Sequence, residues 1–106
     1  MFGNWPEFRG QIASGKLVAL GMATMQRSQF APDVPTLAEQ GAALESNSWQ
    51  GLLAPARTSD AIVQRLNQDV NLALASPAVI KTFQEGGIVS KAGSVEQFAA
   101  FIRSEE

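Results

Sequence analysis

The sequence predicts an α/β fold, on three observations. Nearly uncharged apolar runs at Lys16–Ala23, Ser48–Pro55 and Ile88–Lys91 alternate with segments whose apolar residues recur every three or four positions. Helix start and stop residues stand at the boundaries between them. The resulting order is helix, strand, helix, strand, helix, helix, strand, helix: three short strands and about five helices. With 106 residues, 45% hydrophobic and 17% charged, the chain has the make-up of a soluble globular domain, of a size that buries a modest fraction of its surface.

The elements follow in order. Pro6 suits a first helical turn, Phe8 and Ile12 share a face, and Gly15 is placed as a left-handed stop, so a helix is expected over about 6–14. Lys16–Ala23 is too short and too apolar for an independent helix and suits a strand covered on both faces, with Gly21 marking a close backbone approach. In "PTLAEQG" Thr36 and Glu39 form a capping box and Gly41 ends the small helix. Ser48–Pro55 reads as the second strand, closed by Pro55, which cannot donate to a ladder. From Thr58 or Ser59 as N-cap, Ile62, Leu66, Val70 and Leu74 recur every fourth residue, with Val63 and Ala73 beside them. Ser76 and Pro77 start the next helix, with Val79, Ile80 and Phe83 inward and Gly86–Gly87 as the break. "IVSK" is the third strand. Ser94 and Gln97 form a second capping box ahead of Val95, Phe98, Phe101 and Ile102.

Charge and composition exclude several functions. A net charge of −2, with eight Lys and Arg scattered along the chain, gives no attraction for a phosphate backbone, so no nucleic-acid partner is expected. No run reaches the length of a membrane span, and the Met1 region lacks the basic start and apolar run of a signal peptide. The absence of Cys excludes disulfides and thiolate metal sites, and the absence of His removes the commonest general base, so no metal, no cofactor and no catalytic residue is expected. Asp33 and Glu39 are the closest carboxylate pair in a turn, but the capping box already employs Glu39.

"SGKLVALGMAT", "RSQFAPDVPTLAEQG", "SWQGLLAPARTSDAIVQRLNQDV" and "SPAVIKTFQEGGIVSKAGSVEQFAAFIRSE" resemble, in that order and spacing, the C-terminal part of the Bug-type solute-binding proteins of tripartite tricarboxylate transporters. The most specific pieces are Pro32–Thr36 followed by Glu39 and Gly41, then Trp49, Gly51 and Ala54–Pro55. Two departures are Arg57, where that family commonly has Gly, and Ser59, where it commonly has Pro. The resemblance implies part of a type II periplasmic-binding-protein-like fold: a two-lobed periplasmic receptor, about three times this length, that closes on a small organic acid or amino acid and delivers it to membrane subunits of the transporter. It implies recognition through backbone amides, hydroxyls and water, without a cofactor. On that scheme residues 1–47 end the second lobe, 48–55 form the inter-lobe crossing strand, and 56–106 are the C-terminal part of the first lobe. The chain then reads as a fragment whose crossing strand should be covered on both sides. Unpaired edges and exposed Leu52 and Leu53 favour association with another chain, so a homodimer or higher assembly is expected.

Three residues are candidates for ligand contact, each with a second reading. Thr24 and Arg27 follow the first strand, where ligands of open α/β sheets sit. Arg27 offers a two-pronged contact to a carboxylate, or is a solvated surface arginine. Trp49 either walls a cleft or packs at the crossing. Two functions follow: a receptor lobe for small carboxylates, or a self-associating module that binds no ligand. A small enzyme has no support beyond ordinary carboxylates.

Overall fold

A computed structural model of the chain describes residues 1–106. Four α-helices form, α1 at Trp5–Ala13, α2 at Asp60–Leu74, α3 at Pro77–Gly86 and α4 at Val95–Ser104, together with a single 3₁₀ turn at Ala38–Gln40. All five expected helical segments are therefore present, with bounds close to those read from the caps. The chain divides into two compact units, Met1–Gly51 and Leu52–Glu106, and each is described by itself.

In the first unit α1 starts at Asn4, whose backbone N–H and side-chain amide donate to the Glu7 carboxylate at 3.3 and 3.1 Å. Gly15 lies at φ 74°, the left-handed geometry that ends the helix. The expected capping box is formed: the Thr36 N–H donates to Glu39 Oε2 at 2.7 Å, and the Glu39 N–H donates to Thr36 Oγ1 at 3.1 Å. Gly41 at φ 89° closes that turn. A Cβ on Gly21 would lie 2.7 Å from Gln40 Nε2 and 2.8 Å from Leu37 Cδ2, so what comes close to this glycine is two side chains and not the backbone that was expected. The Gln40 amide uses that space to donate to the Leu20 carbonyl at 2.9 Å.

In the second unit α2 packs against α3 and α4. Ser59 is the N-cap of α2 and Ser76 that of α3, and Gly87 at φ 71° ends α3. Ser94 and Gln97 form the second capping box, at 2.9 and 3.1 Å. Val63, Val70 and Leu74 on α2, Val79 and Phe83 on α3, and Val95, Phe98 and Ile102 on α4 are half-buried. The α2 stripe is wider than the surface it covers: Ile62 and Leu66, expected inward, are 54% and 43% exposed. Ile80 and Phe101 lie at the exposed edge of their helices.

The strands are the correction. None of Lys16–Ala23, Ser48–Pro55 and Ile88–Lys91 forms one; the nearest approach is an isolated parallel bridge between Met22 and Thr36. The α/β expectation therefore holds for its helices and fails, within this chain, for its sheet. The physical reason is that a strand is not a local structure. Ordering its backbone costs roughly 1–2 kcal/mol per residue, which is offset only when a second strand completes the ladder and covers the side chains. Here the three runs do not pair with one another, and their apolar residues remain exposed: Val18 and Leu20, Leu52 and Leu53, Ile88 and Val89. The expected cover of Trp49–Pro55 is likewise not met, since every residue of that segment is exposed.

Candidate functional site

The polar turn after the first apolar run has the most developed side-chain chemistry in the chain. Arg27 Nε donates to both Glu39 carboxylate oxygens at 3.1 and 3.0 Å, and its terminal nitrogens donate to Glu39 Oε1 at 2.9 Å and to the Pro32 carbonyl at 3.1 Å. Glu39 in turn accepts the Thr36 N–H, so one carboxylate ties Arg27, Pro32 and the 3₁₀ turn together. Thr36 is 1% exposed and Ala31 7%, the only buried residues. The bonds from Arg27, then those from Thr36, hold the Glu39 carboxyl at a pKa of about 2, and Glu39 raises that of Arg27 above its already high value.

The three expected ligand residues are placed as follows. Thr24 is half-buried and its hydroxyl donates to the Gln26 carbonyl at 2.6 Å. The two-pronged contact foreseen for Arg27 exists, but with the chain's own Glu39 twelve residues on. Trp49 is 42% exposed. Beside Thr24 and Trp49 in sequence, within the first unit, is an open groove of about 320 Å³ lined by Phe2, Gly3, Asn4, Ala23, Ser46, Asn47 and Ser48. Thr24, Arg27 and Trp49 are not among its lining residues. The Ser46 N–H donates to the Ala23 carbonyl at 2.8 Å, joining two of the lining segments. The groove's side-chain polar groups are hydroxyls and amides with no Lys or Arg among them, so the lining both donates and accepts hydrogen bonds.

Sequence reasoning missed two further arrangements. Asn67 and Asn71, one turn apart on α2, both donate to the Gly93 carbonyl, at 2.9 and 3.0 Å, and the Gly93 N–H donates back to Asn71 Oδ1 at 3.3 Å. The signal was an Asn pair at i and i+4 bordering the apolar stripe. The second is Arg57 at φ 72°, the sole non-glycine residue in the left-handed region. It occupies the third position of the turn Pro55–Thr58, whose Thr58 N–H donates to the Pro55 carbonyl at 3.1 Å. That is the position at which such a turn favours glycine, and the signal was there: it is where the resembling family commonly carries Gly. No three His, Cys, Asp or Glu residues gather to hold a metal ion, and no helix is long and apolar enough to cross a membrane.

Comparison with known proteins decides the family. The model of the tripartite tricarboxylate transporter family receptor matches residues 1–106. The chain belongs to this receptor family. Among the family's curated relatives, protein BugT of Bordetella pertussis is 35% identical over 103 residues, which is 96% of this chain and 32% of BugT. A UPF0065 protein from the tcbD–tcbE intergenic region of a Pseudomonas is 34% identical over 99 residues, 92% of this chain and 30% of that protein. A third, from the clcB–clcD intergenic region of Pseudomonas knackmussii, is 38% identical over 87 residues, covering 78% of this chain and 50% of the relative. This receptor-family chain thus spans about a third of the first two relatives and half of the third.

Proposed function

We propose that the chain serves as part of an extracytoplasmic solute receptor that binds a small organic acid or amino acid in the periplasm and presents it to membrane subunits of a tripartite tricarboxylate-type transporter. The observation that carries this reading is the receptor-family match along the whole of residues 1–106. In this reading residues 1–47 complete the second lobe, 48–55 cross between lobes, and 56–106 belong to the first lobe. Thr24 and Trp49, each next in sequence to a lining residue of the groove, Ala23 and Ser48, contact the ligand in the assembled receptor. Arg27 contributes the N–H donors that remain beyond its bonds to Glu39 and Pro32, a guanidinium having five.

A thermal-shift panel of mono-, di- and tricarboxylic acids and amino acids tests it. A ligand at one hundred times its Kd stabilises by about 2.7 kcal/mol, which for a chain of this size raises Tm by roughly ten degrees. Thr24→Ala and Trp49→Ala should shrink that shift without lowering the Tm of the free chain by a comparable amount. No shift with any acid contradicts the reading. The exposure of Leu52 and Leu53, at 67% and 71%, favours the second reading, a self-associating chain without a ligand, and that reading predicts no shift and a stable oligomer.

A further inference from the structure

We propose that Glu39 is a positioning residue of the candidate site: anchored by Arg27, it holds the loop Ala23–Pro35 closed and so fixes where Ala23 and Thr24 stand at the groove. The inference deepens the receptor reading and rests on it for what the groove binds. It begins with the carboxylate. Glu39 Oε1 accepts from Arg27 Nε at 3.1 Å and from Arg27 Nη2 at 2.9 Å, while Oε2 accepts from Arg27 Nε at 3.0 Å and from the Thr36 N–H at 2.7 Å. Each oxygen thus accepts two bonds, the capacity of an ionised carboxylate. Glu39 keeps no acceptor site for a bound molecule, so it acts on the groove through the groups it holds.

Those groups form the neck of a loop. The Met22 N–H donates to the Pro35 carbonyl at 2.9 Å and the Leu37 N–H donates to the Met22 carbonyl at 2.8 Å, on either side of Thr36, which bridges to Met22. Before that bridge the Gln40 amide donates to the Leu20 carbonyl at 2.9 Å, and after it the Ser46 N–H donates to the Ala23 carbonyl at 2.8 Å. Ala23 and Ser46 both line the groove, and Thr24 follows Ala23 in sequence. Leu20, Met22 and Ala23 are therefore all held by the segment Pro35–Ser46, and Glu39 lies within that segment.

Arg27 stands on the loop itself. Its fork ties the near limb to Glu39, and its bond to the Pro32 carbonyl at 3.1 Å ties it to the far limb. The fork matters because a single exposed ion pair between flexible side chains holds little, whereas a two-pronged guanidinium–carboxylate contact fixes both partners in one orientation. A comparable clasp, Asn67 and Asn71 on Gly93, lies in the second unit and includes no groove residue, so the same logic assigns it no part in the site.

The Ser46 amide reads the role, since it lines the groove and bonds to neither Glu39 nor Arg27. Glu39→Ala and, separately, Arg27→Met should each speed hydrogen exchange at the Met22, Leu37 and Ser46 amides at least tenfold while the helical circular dichroism stays unchanged. Thr36→Val, which deletes the cap acceptor but leaves the Arg27–Glu39 fork in place, should leave Ser46 exchange as it is. Of citrate, succinate and glutamate, each that raises the Tm of the unaltered chain should bind Glu39→Ala at least fivefold more weakly by titration calorimetry. Unchanged Ser46 exchange in both Glu39→Ala and Arg27→Met overturns the proposal. So does a Ser46 amide that exchanges at the free-peptide rate in the unaltered chain, or an acid that binds Glu39→Ala and the unaltered chain equally. A chain whose Tm no acid raises removes the receptor reading instead, and Ser46 exchange then decides by itself whether Glu39 positions the loop.

Discussion

Two stretches of the chain, Gln26–Gly41 and Gln50–Ala54, are both short, poor in regular structure and within one third of the sequence, yet one is held from within and the other is not. Gln26–Gly41 carries its own partners: Arg27, Glu39, Thr36 and the Pro32 carbonyl satisfy one another, and the only two buried residues, Ala31 and Thr36, lie inside it. Gln50–Ala54 carries apolar side chains and backbone groups but no partner for either. The difference shows that a segment can be ordered without a sheet when its side chains supply the hydrogen bonds, whereas a strand-like segment depends on a chain that comes from elsewhere.

Acid should break the first stretch and leave the second unchanged. Glu39 has its pKa lowered from 4.5 to about 2, so its contribution is complete above the unfolded value and is lost as pH falls through about 2. Amide exchange or near-ultraviolet absorbance of the turn should follow that midpoint, and Glu39→Gln should remove the acid dependence. Removing Asn71 in an Asn71→Ala variant should cost about 1–2 kcal/mol in the second unit, because the Gly93 N–H then loses its acceptor while the Gly93 carbonyl keeps only the Asn67 amide; urea denaturation measures it. Thr36→Val, which keeps the shape but deletes the acceptor for the Glu39 N–H, should cost about 1 kcal/mol and loosen Gln26–Gly41 alone. Arg57→Gly should change stability in the other direction by about 1 kcal/mol, since glycine relieves the left-handed φ of 72° less the entropy it adds to the unfolded chain. Leu52→Pro should have the smallest effect, close to zero on the unfolding of either unit at concentrations where the chain is single, because it removes no intrachain hydrogen bond.

What was legible in the sequence follows the range of the interactions. Capping boxes at Thr36/Glu39 and Ser94/Gln97, and the stops at Gly15, Gly41 and Gly87, span four residues or fewer, and each formed where the residue types placed it. The Arg27–Glu39 pair was read only in halves, one as a ligand fork and the other as a cap, because the turn that joins them runs over twelve residues. Asn67 and Asn71 left only an i and i+4 spacing as a signal, for a different reason: a polar residue bordering a helical stripe looks solvent-facing until a carbonyl from a loop over twenty residues on comes to meet it. The three strands were the least legible of all. Their residue types fit a buried ladder, but ladder formation is a property of two segments, and the sequence of one says nothing about where the other lies.

The contrast between the two stretches is tested most directly by residue-resolved amide hydrogen exchange on the chain at sub-micromolar concentration. The account predicts that the Thr36 and Leu37 amides, which donate to Glu39 and to the Met22 carbonyl, are slowed at least a hundredfold relative to free peptide, while the Gly51, Leu52, Leu53 and Ala54 amides exchange at free-peptide rates. Comparable protection of Gly51–Ala54 and Thr36–Leu37 under those dilute conditions would contradict it.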